Sequence, residues 1–285
     1  MNNPFLLFLI SALRISTPFA LAAMGGTLCE RAGVINLGLE GMLLVGAFAA
    51  TVGSFGGGVA VGALAGALGG LAVAGLYAVA VLRARADQVV AAVAINLLAI
   101  GLTRFLLKLI FHSASSSATV PGFTGRVAGV YVGATALVVL GIHVWMSRTP
   151  GGLRLRAVGE HPEAAHSLGV EVVRTRLVAI LSSGVLAGLG GAWLALDSRG
   201  FFDRMSGGRG YIAVAAVILG RWSPLGAAAA CLLFGFADAA QLQLQTRITF
   251  LPREIVQVLP YVITLVVLAG VAGRARAPSA LGKPW

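Results

Sequence analysis

Charge is what this chain lacks most. Of 285 residues only 11% are Asp, Glu, Lys or Arg, against 58% hydrophobic. Soluble domains carry about 25% charged residues, so the deficit excludes an ordinary water-facing globule and points to lipid as solvent. Cysteine is nearly missing as well. Cys29 and Cys231 each lie in or beside an apolar run. Two isolated thiols make neither a metal framework nor grounds for a disulfide, and they read as small buried hydrophobes. Aromatics reach only 7%, and no basic face is interleaved with them. The net charge of +11, which would suggest nucleic acid in a soluble protein, is therefore read as basic loops held beside anionic lipid. The leading Met-Asn-Asn-Pro-Phe-Leu-Leu-Phe has no basic flank and no small-residue cleavage site, so it reads as the first membrane segment and not as a removable signal.

What is present is a series of apolar runs, near 4–28, 33–54, 59–82, 88–111, 130–147, 177–197, 225–243 and 255–273. Each approaches the ~20 residues that a bilayer requires. A ninth run, 210–220, covers only about half of a hydrocarbon core ~30 Å thick. The expected fold is an all-α integral membrane protein: one polytopic helical bundle spanning 1–285, with about 8–9 membrane segments, some short or broken. Glycine series such as Gly62–Gly66–Gly70 suit close packing of helix backbones and are assigned no chemistry.

One long polar island interrupts the pattern. Residues 148–176 hold Arg148, Arg154, Arg156, Glu160, Glu163, Glu171, Arg174 and Arg176, about a quarter of all charged residues. The flanking stretches 130–147 and 177–196 have none. Placing the island, Arg83, Arg85, Arg221 and the 274–285 tail in the cytoplasm puts about eleven Lys/Arg there against about six outside, in accord with the positive-inside bias. Opposite-side loops then fall at 112–129, 198–209 and 244–254. The side of the amino terminus stays open. Inside the island, Pro162 with Glu163 after it and Gly169 at the end predict a short helix. So short a helix is not stable alone and should lie against something.

Two regions depart from simple spans. From 32 to 82 the only charged side chain is Glu40. Asn36, four residues earlier, shares its helical face, and Gly33, Gly38 and Gly41 loosen the backbone between. A carboxylate at mid-bilayer costs roughly 2.5–3.5 kcal/mol on insertion scales, so it faces protein or a watery cavity. It serves either a solute path or a helix break. The second region, Gly210 to Gly226, is a half-length helix, a turn at Arg221-Trp-Ser-Pro and a new helix. Short, Gly/Pro-interrupted segments in both halves of a chain point to a transport pathway. Asp238, Gln241 and Gln245 share one face of the following helix, and Asn96 sits inside 88–111. Asn36, Glu40, Asn96, Asp238 and Gln241 are the candidate path residues, with interhelical hydrogen bonding as the alternative for each.

Three stretches together carry a resemblance. They are Gly-Val-Ile-Asn-Leu-Gly-Leu-Glu-Gly-Met-Leu-Leu at 33–44, Leu-Arg-Ala-Val-Gly-Glu-His-Pro-Glu-Ala-Ala at 155–165, and Gly-Tyr-Ile-Ala-Val-Ala-Ala-Val-Ile-Leu-Gly-Arg-Trp-Ser-Pro-Leu-Gly at 210–226. In this order they resemble the permease subunits of bacterial ABC importers of the branched-chain amino acid/ribose class, in the nucleoside and simple-sugar subgroup. The resemblance covers about residues 16–273. It implies that Gly159, Glu160, His161, Pro162, Glu163, Ala164, Ala165, Leu168 and Gly169 belong to a cytoplasmic coupling helix seated on an ABC ATPase. It further implies a second, paralogous permease, an extracytoplasmic solute-binding protein and a multi-pass place in the bacterial cell membrane with the carboxyl terminus inside. The chain starts almost at its first motif, as the smaller partner of a permease pair does. It contains no G-x-x-x-x-G-K-[ST], so it would not hydrolyse ATP; ATP and Mg would be bound by the partner ATPase, and this chain would hold no cofactor. The implied cargo is a nucleoside, with simple sugars or branched-chain amino acids as alternatives. From other classes, an ion-driven secondary carrier would use Glu40 and Asp238. An intramembrane enzyme would need convergent catalytic sets that the spans do not display, and a scaffold would tolerate loss of the polar residues.

Overall fold

The computed structural model describes residues 4–247 and 276–285. The expected span 255–273 and most of the expected 244–254 loop lie outside the described residues. Every named element among those described is helical: α1 (Pro4–Arg31), α2 (Leu39–Ala78) continued by a π-turn (Val79–Arg83), α3 (Gln88–Phe111), α4 (Gly125–Arg148), α5 (Pro150–Glu160), α6 (Pro162–Ser167), α7 (Val172–Asp197), α8 (Arg209–Leu219) and α9 (Pro224–Arg247).

Six of these helical stretches are long and apolar enough to cross a membrane, and one of them, Leu39–Arg83, has 45 residues. That length is twice what a crossing needs, and the reason is a fold-back. Gly58 has φ 77° and ψ −175°, a backbone state open essentially to glycine. Beyond it the chain returns along itself. A Cβ placed on Gly62 would lie 2.8 Å from the Ala50 carbonyl, and one on Gly66 would lie 3.0 Å from the Gly46 carbonyl. Residues this far apart in sequence meet only in an antiparallel hairpin. The two arms match the separate runs expected at 33–54 and 59–82. The described residues thus supply seven apolar helical stretches of near-spanning length and the half-length α8.

The second arm of α2 lies against α7 largely through small residues. Gly66 and Gly70 face Gly188 and Ala192, with Cβ positions 2.7–3.1 Å from backbone or methyl atoms there, and a Cβ on Gly70 would collide with the Gly184 carbonyl. Without a hydrophobic drive between helices in lipid, such backbone approach is what favours association. α1 runs antiparallel to the first arm of α2 and is buried from Ser16 onward apart from its last residue, Arg31. At one end of the bundle Phe123, Tyr131 and Trp193 stack with ring centroids 5.1–5.3 Å apart. The segment after α3 is tied there to the end of α7, by Val120 N–H to the Arg199 carbonyl at 3.0 Å and Phe123 N–H to the Leu196 carbonyl at 3.1 Å. Arg14 pairs with Asp197 at this same end, so α1 begins here. It finishes at the opposite end, beside α5.

The island departs from the expected single helix. His161 (φ −139°, ψ 81°) breaks it, so Gly159 and Glu160 close α5 and only Pro162–Ser167 form the next helix. The cause is local: Thr149 caps α5 by accepting from Gly152 N–H at 3.2 Å with Pro150 behind it, and Pro162 has no N–H to continue that helix. The expected stop at Gly169 is present, with φ 82°.

Candidate functional site

Between α1 and α2 the chain unwinds over residues 32–38, and backbone groups freed inside a bilayer must find partners. Here side chains supply them. The Asn36 side chain closes a local turn by accepting from Gly38 N–H (3.1 Å) and donates to Ser183 Oγ on α7 (2.8 Å). Asn96, on α3, donates to the Leu37 carbonyl and to the Tyr211 hydroxyl, both at 2.9 Å, and accepts from Gly41 N–H at 2.9 Å. At the island end of the same segment, Ile35 N–H donates to Gln88 Oε1 at 2.7 Å and Tyr77 donates to the Ile35 carbonyl.

Glu40 stands in the first turn of α2, 7% exposed. Its Oε1 accepts from Ser206 Oγ (2.6 Å) and Gly208 N–H (2.9 Å), and its Oε2 accepts from Gly210 N–H (2.7 Å). The carboxylate therefore caps α8 while belonging to α2, and faces the positive ends of two helices at once. Gly210 makes this possible, because a Cβ there would collide with the Glu40 backbone. Asn96 lies eight residues along α3 from Gln88, about 12 Å from the start of that span-length helix, so the cluster lies well inside the length of a span. Half-helix termini meeting at this depth are the usual construction of a transporter's solute region.

The structure thus brings Asn36, Glu40 and Asn96 together, with their polar atoms engaged by the chain itself. Asp238 and Gln241 stand half-buried on α9. Arg209, at the start of α8, is the opposite charge acting on Asp238. Sequence reasoning missed Ser183, Ser206 and Tyr211, which complete the cluster. Tyr211 and the run to Gly226 were singled out as a segment, but nothing in that run states which partner each residue meets.

A second buried cluster joins this region to the island. Glu30, 3% exposed, accepts from Trp222 Nε1. Arg31 donates from Nε to the Trp222 carbonyl at 2.7 Å and approaches Glu160 at 4.0 Å. Trp222→Phe keeps most of the apolar bulk but leaves a buried carboxylate without its donor. A loss of about 2 kcal/mol is expected, read as a lower melting temperature of the purified protein, while Trp222→Tyr gives no recovery because its hydroxyl is displaced from the indole N–H.

In the island, Gly159 is buried against the Arg31 carbonyl and Ala165 is buried, whereas His161, Glu163, Ala164, Leu168 and Gly169 are exposed and Pro162 is half-exposed. Leu168 is 84% exposed. Beside it opens a groove of about 540 Å³ lined by Trp145, Arg154, Leu168, Glu171 and Arg174. Among the described residues no group of three or more His, Cys, Asp or Glu could hold a metal ion.

The family model of the branched-chain amino acid transport system permease component matches residues 8–268. The chain is 36% identical to the guanosine ABC transporter permease protein NupQ of Bacillus subtilis, over 96% of this chain and 95% of that protein. It is 36% identical to the nucleoside ABC transporter permease protein NupC of Lactococcus lactis subsp. cremoris, over 98% and 96% respectively. A putative glucose ABC transporter permease, TsgC13 of Haloferax volcanii, is 35% identical over 83% of this chain and 77% of its own length.

Proposed function

The chain belongs to the family of permease components of branched-chain amino acid transport systems, and we propose that within it the protein is the membrane subunit of an ATP-driven nucleoside importer. The observation that carries this reading is near-full-length similarity to two permeases named for guanosine and nucleoside transport. A simple sugar is the second reading, favoured by the similarity to TsgC13, which is named as a putative glucose permease; a ribose moiety would present the same kind of hydroxyls.

The chain supplies a path and no chemistry of its own. The broken 32–38 segment and the half-helix α8 form its walls, held by Asn36, Glu40 and Asn96. Asp238 and Gln241, on the neighbouring α9, are the residues we assign to solute contact. The island end is cytoplasmic by the positive-inside bias, which also puts the 276–285 tail in the cytoplasm and the start of α1 outside. An ABC ATPase, which binds ATP and Mg, docks on His161 to Gly169 and the adjoining groove. A solute-binding protein delivers cargo at the opposite end. Apolar side chains exposed on α3 and α4, Phe105, Leu109, Val130 and Leu137 among them, face lipid or a second, paralogous permease.

Docking is tested with single cysteines at Ala164 and Leu168, crosslinked in membranes that contain the partner ATPase. We expect a product at the combined mass of the two subunits, weakened when ATP closes the motor. Products with lipid alone at both positions contradict the assignment.

A further inference from the structure

The final residues of the chain touch four separate parts of the bundle at once. Ser279 donates from both its N–H (3.1 Å) and its hydroxyl (3.0 Å) to Glu160 Oε2, at the end of α5. Ala280 N–H donates to the Gly159 carbonyl at 2.9 Å. Two residues on, Gly282 N–H donates to the Gly33 carbonyl at 3.1 Å, where the chain leaves α1. Next, the Lys283 carbonyl accepts from Arg176 Nη1 at 2.9 Å, and Arg176 also donates to the Ala32 carbonyl at 3.2 Å. Arg176, on α7, is 1% exposed. The Trp285 ring packs edge-on against His166 of α6, with centroids 5.7 Å apart.

These contacts are built in, as the fit of the backbone shows. Pro278 and Ala280 are buried. Gly33 has φ 86°, and a Cβ on it would lie 3.1 Å from the Ala280 carbonyl. Gly282 has φ 78°, and a Cβ there would lie 2.9 Å from Ile35. Positive φ on both facing glycines, with tight contacts at each, makes this a fitted seam.

We propose that residues 279–285 are a positioning strap that carries displacement of the ATPase-facing α5–α6 elbow to the broken 32–38 segment. This rests on the functional reading above. Without the tail, Glu160 keeps only its distant contact with Arg31, and the elbow meets the break by packing alone, Gly159 beside the Gly33 backbone and Leu155 in one buried cluster with Ala32. With it, the elbow is hydrogen-bonded to the strap at Gly159 and Glu160. The strap is hydrogen-bonded to Gly33, three residues before Asn36 and seven before Glu40. Movement of α5 and α6 is thereby delivered to the start of the segment that frames the solute region. Rigid, hydrogen-bonded elements of this kind are what couple distant sites.

The test uses the complete complex, with its ATPase and solute-loaded binding protein, in proteoliposomes. Guanosine uptake and ATP hydrolysis are measured on the same preparation, for the unaltered chain, for truncation after Ala277, and for Ala280→Pro, which removes the N–H to Gly159. We expect both variants to hydrolyse ATP while moving roughly tenfold less guanosine per ATP, within the span of ordinary site–site coupling. An unchanged ratio in the truncated chain overturns the proposal. Should truncation prevent assembly, Ala280→Pro decides by the same ratio. A merely stabilising tail would lower uptake and hydrolysis together and leave the ratio alone, which also overturns it. Failure of the unaltered complex to move guanosine with ATP counts against the functional reading and not against the strap; for a complex that moves glucose, the ratio is taken with glucose.

Discussion

Glu40→Ala is expected to leave almost no folded protein in the membrane. The substitution removes the acceptor of Ser206 Oγ, Gly208 N–H and Gly210 N–H together. Each donor stranded in a buried, apolar setting costs about 1–3 kcal/mol. Three of them approach the 5–15 kcal/mol that holds a typical protein folded. The start of α8 lies directly on the start of α2, so neither helix can turn away. Glu40→Gln keeps the volume and one carbonyl oxygen but turns an amide toward backbone donors, so an intermediate yield is expected. Monodisperse protein recovered in mild detergent, with its melting temperature, reads both effects. Normal recovery of Glu40→Ala would mean that the three bonds do not hold α8, and would return Glu40 to the list of residues free to meet solute.

A leucine at Gly188 should be equally damaging for a different reason. Already at the Cβ, the new side chain would run into the Gly66 carbonyl, with the Gly70 Cα 3.1 Å away. Both obstacles are backbone and cannot move to another rotamer. α7 and the second arm of α2 would have to separate, and overpacking of this kind costs 1–3 kcal/mol or more, so we expect about 3 kcal/mol. Gly141→Leu on α4 provides the comparison, because nothing lies within 4 Å of its Cβ position. The expected outcome is loss of stable protein for Gly188→Leu and near-normal melting for Gly141→Leu. Equal behaviour of the two would show that the α2–α7 contact is looser than described.

Much of this was legible in the residues. The runs at 33–54 and 59–82 anticipated the two arms of the α2 hairpin, and the short run at 210–220 anticipated α8. Glu40 stood out because fifty residues around it carry no other charge. Its partners did not, since they lie about 170 positions away, and two of the three donors are backbone N–H groups without any side-chain signature. Asn36 and Asn96 were rightly noticed as polar groups within apolar runs, but periodicity could not tell whether they face a path or brace an unwound chain. The island was read as one helix because Pro162 and Gly169 are sound start and stop signals. That Glu160 instead ends a preceding helix depends on Thr149 and Pro150, which set α5 a full three turns earlier. The tail was least legible of all. Ala280 and Gly282 act through N–H groups that every residue except proline possesses, so only the folded chain shows where they bind.

The central claim is that this permease moves a nucleoside at the expense of ATP hydrolysed by a partner. It is tested most directly in proteoliposomes holding this chain with its second permease and ATPase, supplied with radiolabelled guanosine on its binding protein. The account predicts accumulation of label on the ATPase side that requires the binding protein and ATP and stops when the ATPase cannot hydrolyse. Accumulation by this chain alone, driven by a proton or sodium gradient and indifferent to ATP, would contradict it.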